Sequence, residues 1–194
     1  YHPMQLTHFL TVVPSWQTYQ QHPHEIVLRM DPNRAFGTGI NLTTRLALQA
    51  MEIVIDGCKM MIDVGTGSGI LSLFARKLGV RHVYACDVAD AAIRSAHRNL
   101  VLNHVSQVEV RKNDLLKGLQ TPVDLIVANM VPVCLMPLIP QVPPLLKPGG
   151  KLILSGIFDS KLKLIKVQLA KYHLKICETF SAKPWNAMII EKEG

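Results

Sequence analysis

The chain has 194 residues, enough for one domain with a sizeable core and too few for two of ordinary size. Hydrophobic residues make up 48% and charged residues 18%, which excludes a disordered chain. The formal charge of +7 suits an anionic partner such as RNA or the ribosome, but the basic residues are scattered, and the loose cluster Lys161, Lys163, Lys166, Lys171 and Lys175 lacks the aromatics of a single-strand platform and reads as a solvated helix face.

Residues 1–58 form an N-terminal extension. Its first part is rich in Gln, His and Pro, with a short strand-like run at 9–13, and 25–30 alternates as a strand. A glycine-bearing loop follows, Ala35-Phe36-Gly37-Thr38-Gly39, and then a helix over about 43–54. The extension is expected to pack on the same domain as the rest.

From 59 to 194 short apolar runs alternate with helical stretches, the pattern of βαβ units and a mostly parallel sheet. Strands are expected at 59–64, 82–86, 107–111, 123–128 and 151–155, the fourth apolar throughout and suited to burial on both faces. Helices are expected at 70–78, from Asp90 as a candidate cap to about 103, and over about 160–172. Lys147-Pro148-Gly149-Gly150 reads as a turn, and 174–179 with 185–190 as an antiparallel hairpin at the sheet edge. Trp185 opens the second hairpin strand, either near the site face or filling the sheet edge. The whole predicts a seven-stranded α/β sheet with helices on both faces.

Cys58, Cys86, Cys134 and Cys177 lie far apart without metal or redox spacing, and His22 and His24 have no third ligand nearby, so no metal site is expected. No secretory leader pattern opens the sequence. The apolar stretch 125–146 carries Asn129, Gln141 and five prolines, which a membrane-spanning helix would not tolerate. A cytoplasmic protein is expected.

The chemistry centres on Asp63-Val64-Gly65-Thr66-Gly67-Ser68-Gly69, between a strand and a helix. Position 70 is Ile70, so the spacing is G-x-G-x-G and not the G-x-G-x-x-G of a nicotinamide loop. Such a turn suits S-adenosylmethionine (AdoMet), which has no pyrophosphate to seat on the helix: Gly65, Gly67 and Gly69 let the backbone pass close to its adenosyl and methionyl parts. Asp87, ending the second strand, is placed to accept bonds from both ribose hydroxyls or to cap the next helix. Asp114 follows the third strand, either near the adenine amino group or as a turn residue. Asn129 ends the fourth strand, at the sheet edge where such folds hold ligands, or satisfies a turn there. Asp63 braces the glycine loop.

The segments Pro14-Ser15-Trp16, Asp31-Pro32-x-x-Ala35-Phe36-Gly37-Thr38-Gly39, Thr43-Thr44-x-Leu46, Asp63 to Leu71, Ala128-Asn129 and Lys147-Pro148-Gly149-Gly150 occur in order over nearly the whole chain. Together they closely resemble the bacterial PrmA-type enzymes, methyltransferases of large-subunit ribosomal protein L-eleven with the Rossmann-like class I fold. The resemblance implies AdoMet contacts at Thr44, Gly65, Asp87 and Asn129, with Phe36, Gly37, Thr38 and Gly39 folding over the methionine end. It places the transferred methyl toward Asn129 and implies methylation of lysine side chains and the N-terminal α-amine, releasing S-adenosylhomocysteine.

Three departures stand out. Ile40-Asn41-Leu42 replaces the family's histidine before the threonine pair. The family carries a separate N-terminal domain that grips the ribosomal protein, and these 194 residues, beginning at Tyr1, read as the catalytic domain without it. The segment after Asn129 is proline-rich, giving a differently shaped substrate wall. Two other functions fit the same fold. A base methyltransferase would carry Pro-Pro and an aromatic after Asn129, where Met130, Val131 and Pro132 stand. A non-enzymatic interaction module would have no need of the intact glycines and Asp87.

Overall fold

The computed structural model describes residues 2–31 and 40–194, without the side chains of Ile40 and Asn41. Phe36, Gly37, Thr38 and Gly39 lie outside the described residues. A small sheet comes first, with β1 (Met4–Gln5), β2 (Leu10–Pro14) and β3 (Ile26–Met30) in that order. β1 pairs antiparallel to β2, and β3 runs parallel to it. Helix α1 (Ile40–Val54) leads into the main sheet.

The main sheet contains β4 (Met60–Val64), β5 (His82–Asp87), β6 (Val108–Lys112), β7 (Val123–Asn129), β8 (Leu146–Phe158), β9 (Leu174–Ala182) and β10 (Trp185–Lys192). Its seven strands run in the order β6-β5-β4-β7-β8-β10-β9. The first five are parallel, as the alternation of strand and helix requires, and β10 is antiparallel to both β8 and β9. The order reverses beside β4, so the carboxyl ends of β4 and β7 open the crevice in which sheets of this kind hold ligands.

Apolar faces explain the layers. One core joins Leu10, Val12, Leu28 and Met30 of the small sheet to Ala47, Leu48 and Met51 of α1, and to α2 (Ile70–Lys77) and α3 (Asp90–Leu102). The opposite core lies under α4 (Pro132–Leu138), two short 3-10 turns and α5 (Leu162–Lys171). β7 is buried along Leu125, Ile126, Val127 and Ala128, which places apolar side chains in both cores. Pro132 sits in the first turn of α4, where its missing N–H costs nothing, and Pro137 comes as the helix gives way to 3-10 turns.

Two local features differ from the sequence reading. Asp90 does not cap α3: Ala89 is the cap residue without a side-chain bond, and Asp90, the first helical residue, pairs with Lys112 at 3.1 Å. An acid in the first turn still meets the helix dipole favourably. The strand assigned to 151–155 runs from Leu146 to Phe158, and residues 147–150 are the irregularity at which the β7–β8 register jumps from Val123↔Leu146 to Leu125↔Lys151.

Candidate active site

Three glycines shape the turn after β4. Gly65, Gly67 and Gly69 have φ of 69°, 54° and 83°, in the left-handed region that side chains disfavour. A Cβ on Gly65 would lie 2.7 Å from Met130 Sδ, and one on Gly69 3.3 Å from Ala96, so these two admit neighbouring elements. At Gly67 a Cβ would meet nothing within 4 Å, so the middle of the turn faces open space.

The turn is tied to its surroundings at several points. Thr66 N–H donates to the Cys86 carbonyl at 2.9 Å, and Gly67 N–H donates to Asp87 Oδ2 at 3.0 Å. Asp87 Oδ1 accepts the Ala89 N–H at 3.0 Å, so this carboxylate organises both the turn and the approach to α3. A carboxylate has about four lone-pair sites, so two backbone bonds leave Asp87 able to accept hydroxyls as well.

Asp63 sits fully buried behind the turn. Its Oδ2 accepts the hydroxyls of Thr66 and Ser72, each at 2.7 Å, while Oδ1 is buried with no hydrogen-bond partner. Burial lifts this carboxyl to about 6 against the pull of those hydroxyls, and the charge of Asp87 adds to the rise.

Across the crevice, Asn129 ends β7 half-buried, and its Nδ2 donates to Thr44 Oγ1 at 3.3 Å across 85 residues of sequence. α1 is anchored by Ser155 Oγ, which donates to the Thr43 carbonyl at 2.7 Å. Gly156 makes the close approach possible: a Cβ there would fall 2.4 Å from the Met130 carbonyl and 3.4 Å from Asn129 Oδ1. Ser155 pairs with Asn129 in the β7–β8 ladder, and Phe158 pairs with Trp185 in the β8–β10 ladder, so the Phe158–Trp185 ring contact at 4.0 Å lies on the same sheet edge.

Asp114 follows β6, which is tied to the site edge by the Asn113 N–H donating to the Asp87 carbonyl at 3.1 Å. Its own carboxylate is exposed and pairs with Lys117 at 2.6 Å. The structure thus gathers Asp63, Gly65, Gly67, Gly69 and Asp87 at the turn and joins Thr44 to Asn129, with Asp114 in the turn beyond β6. An open cavity of about 450 Å³ over the small sheet, lined by Phe9, Thr11, Tyr19, His22 and Glu25, contains none of them.

The sequence reading missed Ser155, Gly156, Asn99 in α3 and Asn103, the residue that caps its C-terminal end. Asn99 and Asn103 are 3% and 8% exposed, and amides spaced four apart on a buried helix face were the signal available. Among the described residues no group of three or more His, Cys, Asp or Glu is placed to hold a metal ion, and no helix is long and apolar enough to cross a membrane.

The model of the ribosomal protein L11 methyltransferase (PrmA) family matches residues 1–193. The chain belongs to that family. It is 47% identical, over 99% of its length, to the ribosomal protein L11 methyltransferase of Limosilactobacillus reuteri subsp. reuteri, and spans 61% of that relative. Other curated family members are likewise covered only in part, the one from Enterococcus faecalis over 62% of its length at 42% identity. Among solved structures, the ribosomal protein L11 methylase from Lactobacillus delbrueckii subsp. bulgaricus superposes with a TM-score of 0.95 at 35% identity, each chain covered in full. The strand order and edge hairpin described above are therefore those of a PrmA-family, class I methyltransferase sheet.

Proposed function

We propose that the chain transfers a methyl group from AdoMet to amino nitrogens, on lysine side chains or the N-terminal α-amine, of an L11-type ribosomal protein, releasing S-adenosylhomocysteine. The observation that carries this reading is the Asn129–Thr44 hydrogen bond, which joins two residues implied in the site at the mouth of the β4–β7 crevice. A substrate of that class places the protein in the cytoplasm beside the ribosome, where its positive charge is suited to RNA nearby.

The residues fit the cofactor. The turn faces open space at Gly67, where the cofactor would lie, Asp87 retains lone pairs for ribose hydroxyls, and the unpartnered Asp63 Oδ1 keeps a negative group behind the turn. Asp114 stands beyond β6 for the adenine side, and Phe36, Gly37, Thr38 and Gly39 would cover the methionine end. When bound, AdoMet supplies a methyl group already activated on a sulfonium.

The chain's task is to align an amine with that methyl. With Nδ2 committed to Thr44, the Asn129 oxygen accepts an N–H of the incoming amine and directs its lone pair inward. A lysine amine has a pKa of about 10.4 in water, and a half-dry mouth favours the neutral form that can attack. Asn129 takes no proton, so the proton leaves to solvent.

The test is transfer of labelled methyl to purified L11-type ribosomal protein, with the modified amines located by mass spectrometry. Asn129→Ala is expected to lower kcat on the order of 100-fold while the melting temperature is kept. Wild-type turnover in that variant would remove Asn129 from the mechanism. Labelling of RNA in place of the protein would replace the substrate class.

A further inference from the structure

The glycine turn is joined to the small N-terminal sheet by hydrogen bonds that run through α3. Asn99 Nδ2 donates to the carbonyl of Ser68, inside the turn, at 2.8 Å. One helical turn on, Asn103 Nδ2 donates to the Asn99 carbonyl at 2.8 Å and to the Arg29 carbonyl at 2.7 Å, while its Oδ1 accepts the Arg29 N–H at 2.7 Å. Asn103 therefore pairs with the backbone of β3 as a neighbouring strand would, and Arg29 Nη1 extends the chain of bonds to the Gln17 carbonyl at 2.6 Å.

We propose that Asn99 and Asn103 act as positioning residues, a relay by which β3 fixes the glycine turn and so sets cofactor affinity. The proposal rests on the reading that AdoMet binds at this turn. Ser68 lies between Gly67 and Gly69, the two most freely rotating neighbours a peptide can have, so its carbonyl needs an outside donor to hold one orientation. Asn99 is that donor. Asn is a poor residue for a helix interior, and burying an amide is costly unless it is bonded, so an apolar side chain would serve this face better if packing were its only duty.

Asn103 secures the end of α3 that carries Asn99. It does so against the strand that leads, through residues 31–39, into α1 and Thr44.

The experiment measures AdoMet and S-adenosylhomocysteine binding by calorimetry for the 194-residue chain and for Asn99→Ala, Asn99→Asp, Asn103→Ala and the double alanine variant, each below its melting temperature. Asn99→Asp keeps the shape but turns the donor into an acceptor facing a carbonyl. Expected are increases in Kd of about tenfold or more for the Asn99 variants and about threefold for Asn103→Ala. Because the two act in series, the double variant should bind no worse than Asn99→Ala alone. The KM for AdoMet should rise while that for the protein substrate does not. A purely structural role would lower the melting temperature and leave these constants alone.

Folded variants that bind both ligands as the wild type does would overturn the relay, as would independent, additive effects. Should Asn99→Ala fail to fold, Asn103→Ala at the helix end carries the same test. Wild-type chain that binds neither ligand would overturn the proposed function itself, an outcome distinct from failure of the relay.

Discussion

At Gly67 the proposed cofactor contact can be tested without a steric clash inside the protein. Its φ of 54° makes alanine unfavourable by about 1 kcal/mol, but an added Cβ meets nothing in the protein. Gly67→Ala should therefore cost little stability in chemical denaturation, yet weaken AdoMet binding by about tenfold or more, because under the proposed function the methyl would occupy the cofactor's space. Equal binding in the variant would put the ligand elsewhere.

Asp63 offers a test that needs no ligand. Its carboxyl titrates at about 6 in the folded chain, above the ordinary 3.8, because burial outweighs the bonds from Thr66 and Ser72. A raised carboxyl pKa means that the folded state binds the proton more tightly. Its contribution is full below 3.8, is lost as pH climbs to about 6, and is constant beyond. The two-unit shift corresponds to roughly 3 kcal/mol. Urea midpoints for the wild type should thus fall relative to Asp63→Asn across that window, and parallel curves would show that Asp63 ionises without penalty.

At the scale of elements, one buried amide, that of Asn186, ties the strands of the hairpin edge together. Asn186 Nδ2 donates to the Ile157 carbonyl at 3.1 Å and to Asp159 Oδ1 at 2.8 Å, while its Oδ1 accepts Ser181 Oγ at 2.6 Å, joining β8, β9 and β10 at the bulge. Asn186→Ala strands these partners and should cost about 2–3 kcal/mol in thermal or urea unfolding; a loss below about 0.5 kcal/mol would mean that the strands hold without it.

The parallel core and edge hairpin were legible in the sequence because strand and helix periods differ, and because an apolar run such as 125–128 fits a strand covered on both faces. The glycine turn was legible because positive φ leaves few residue choices. What could not be read were contacts set by tertiary distance. Asp90 looks like a cap, but the backbone enters α3 one residue earlier, with Asp87 already holding the Ala89 N–H. Ser155 and Gly156 look like ordinary strand residues until β7, β8 and α1 are brought together. Asp114 shows the same limit: its place after β6 was legible, its pairing with Lys117 was not.

At the scale of the whole molecule, two cores clamp one sheet, and the small sheet extends the first core beyond the seven strands. The chain spans 61% of the relative from L. reuteri, and the crevice with Gly67, Asp87, Thr44 and Asn129 is contained within these residues. Under the proposed function, cofactor binding is therefore expected of these 194 residues by themselves.

The measurement that bears most directly on this is calorimetric titration of the 194-residue chain with AdoMet and with S-adenosylhomocysteine, followed in the same preparation by methyl transfer to the ribosomal protein. Saturable one-to-one binding of both ligands, with label appearing on amino groups, is the predicted result. Absence of binding to either ligand in the folded chain would contradict the assignment of the glycine turn and of the function built on it.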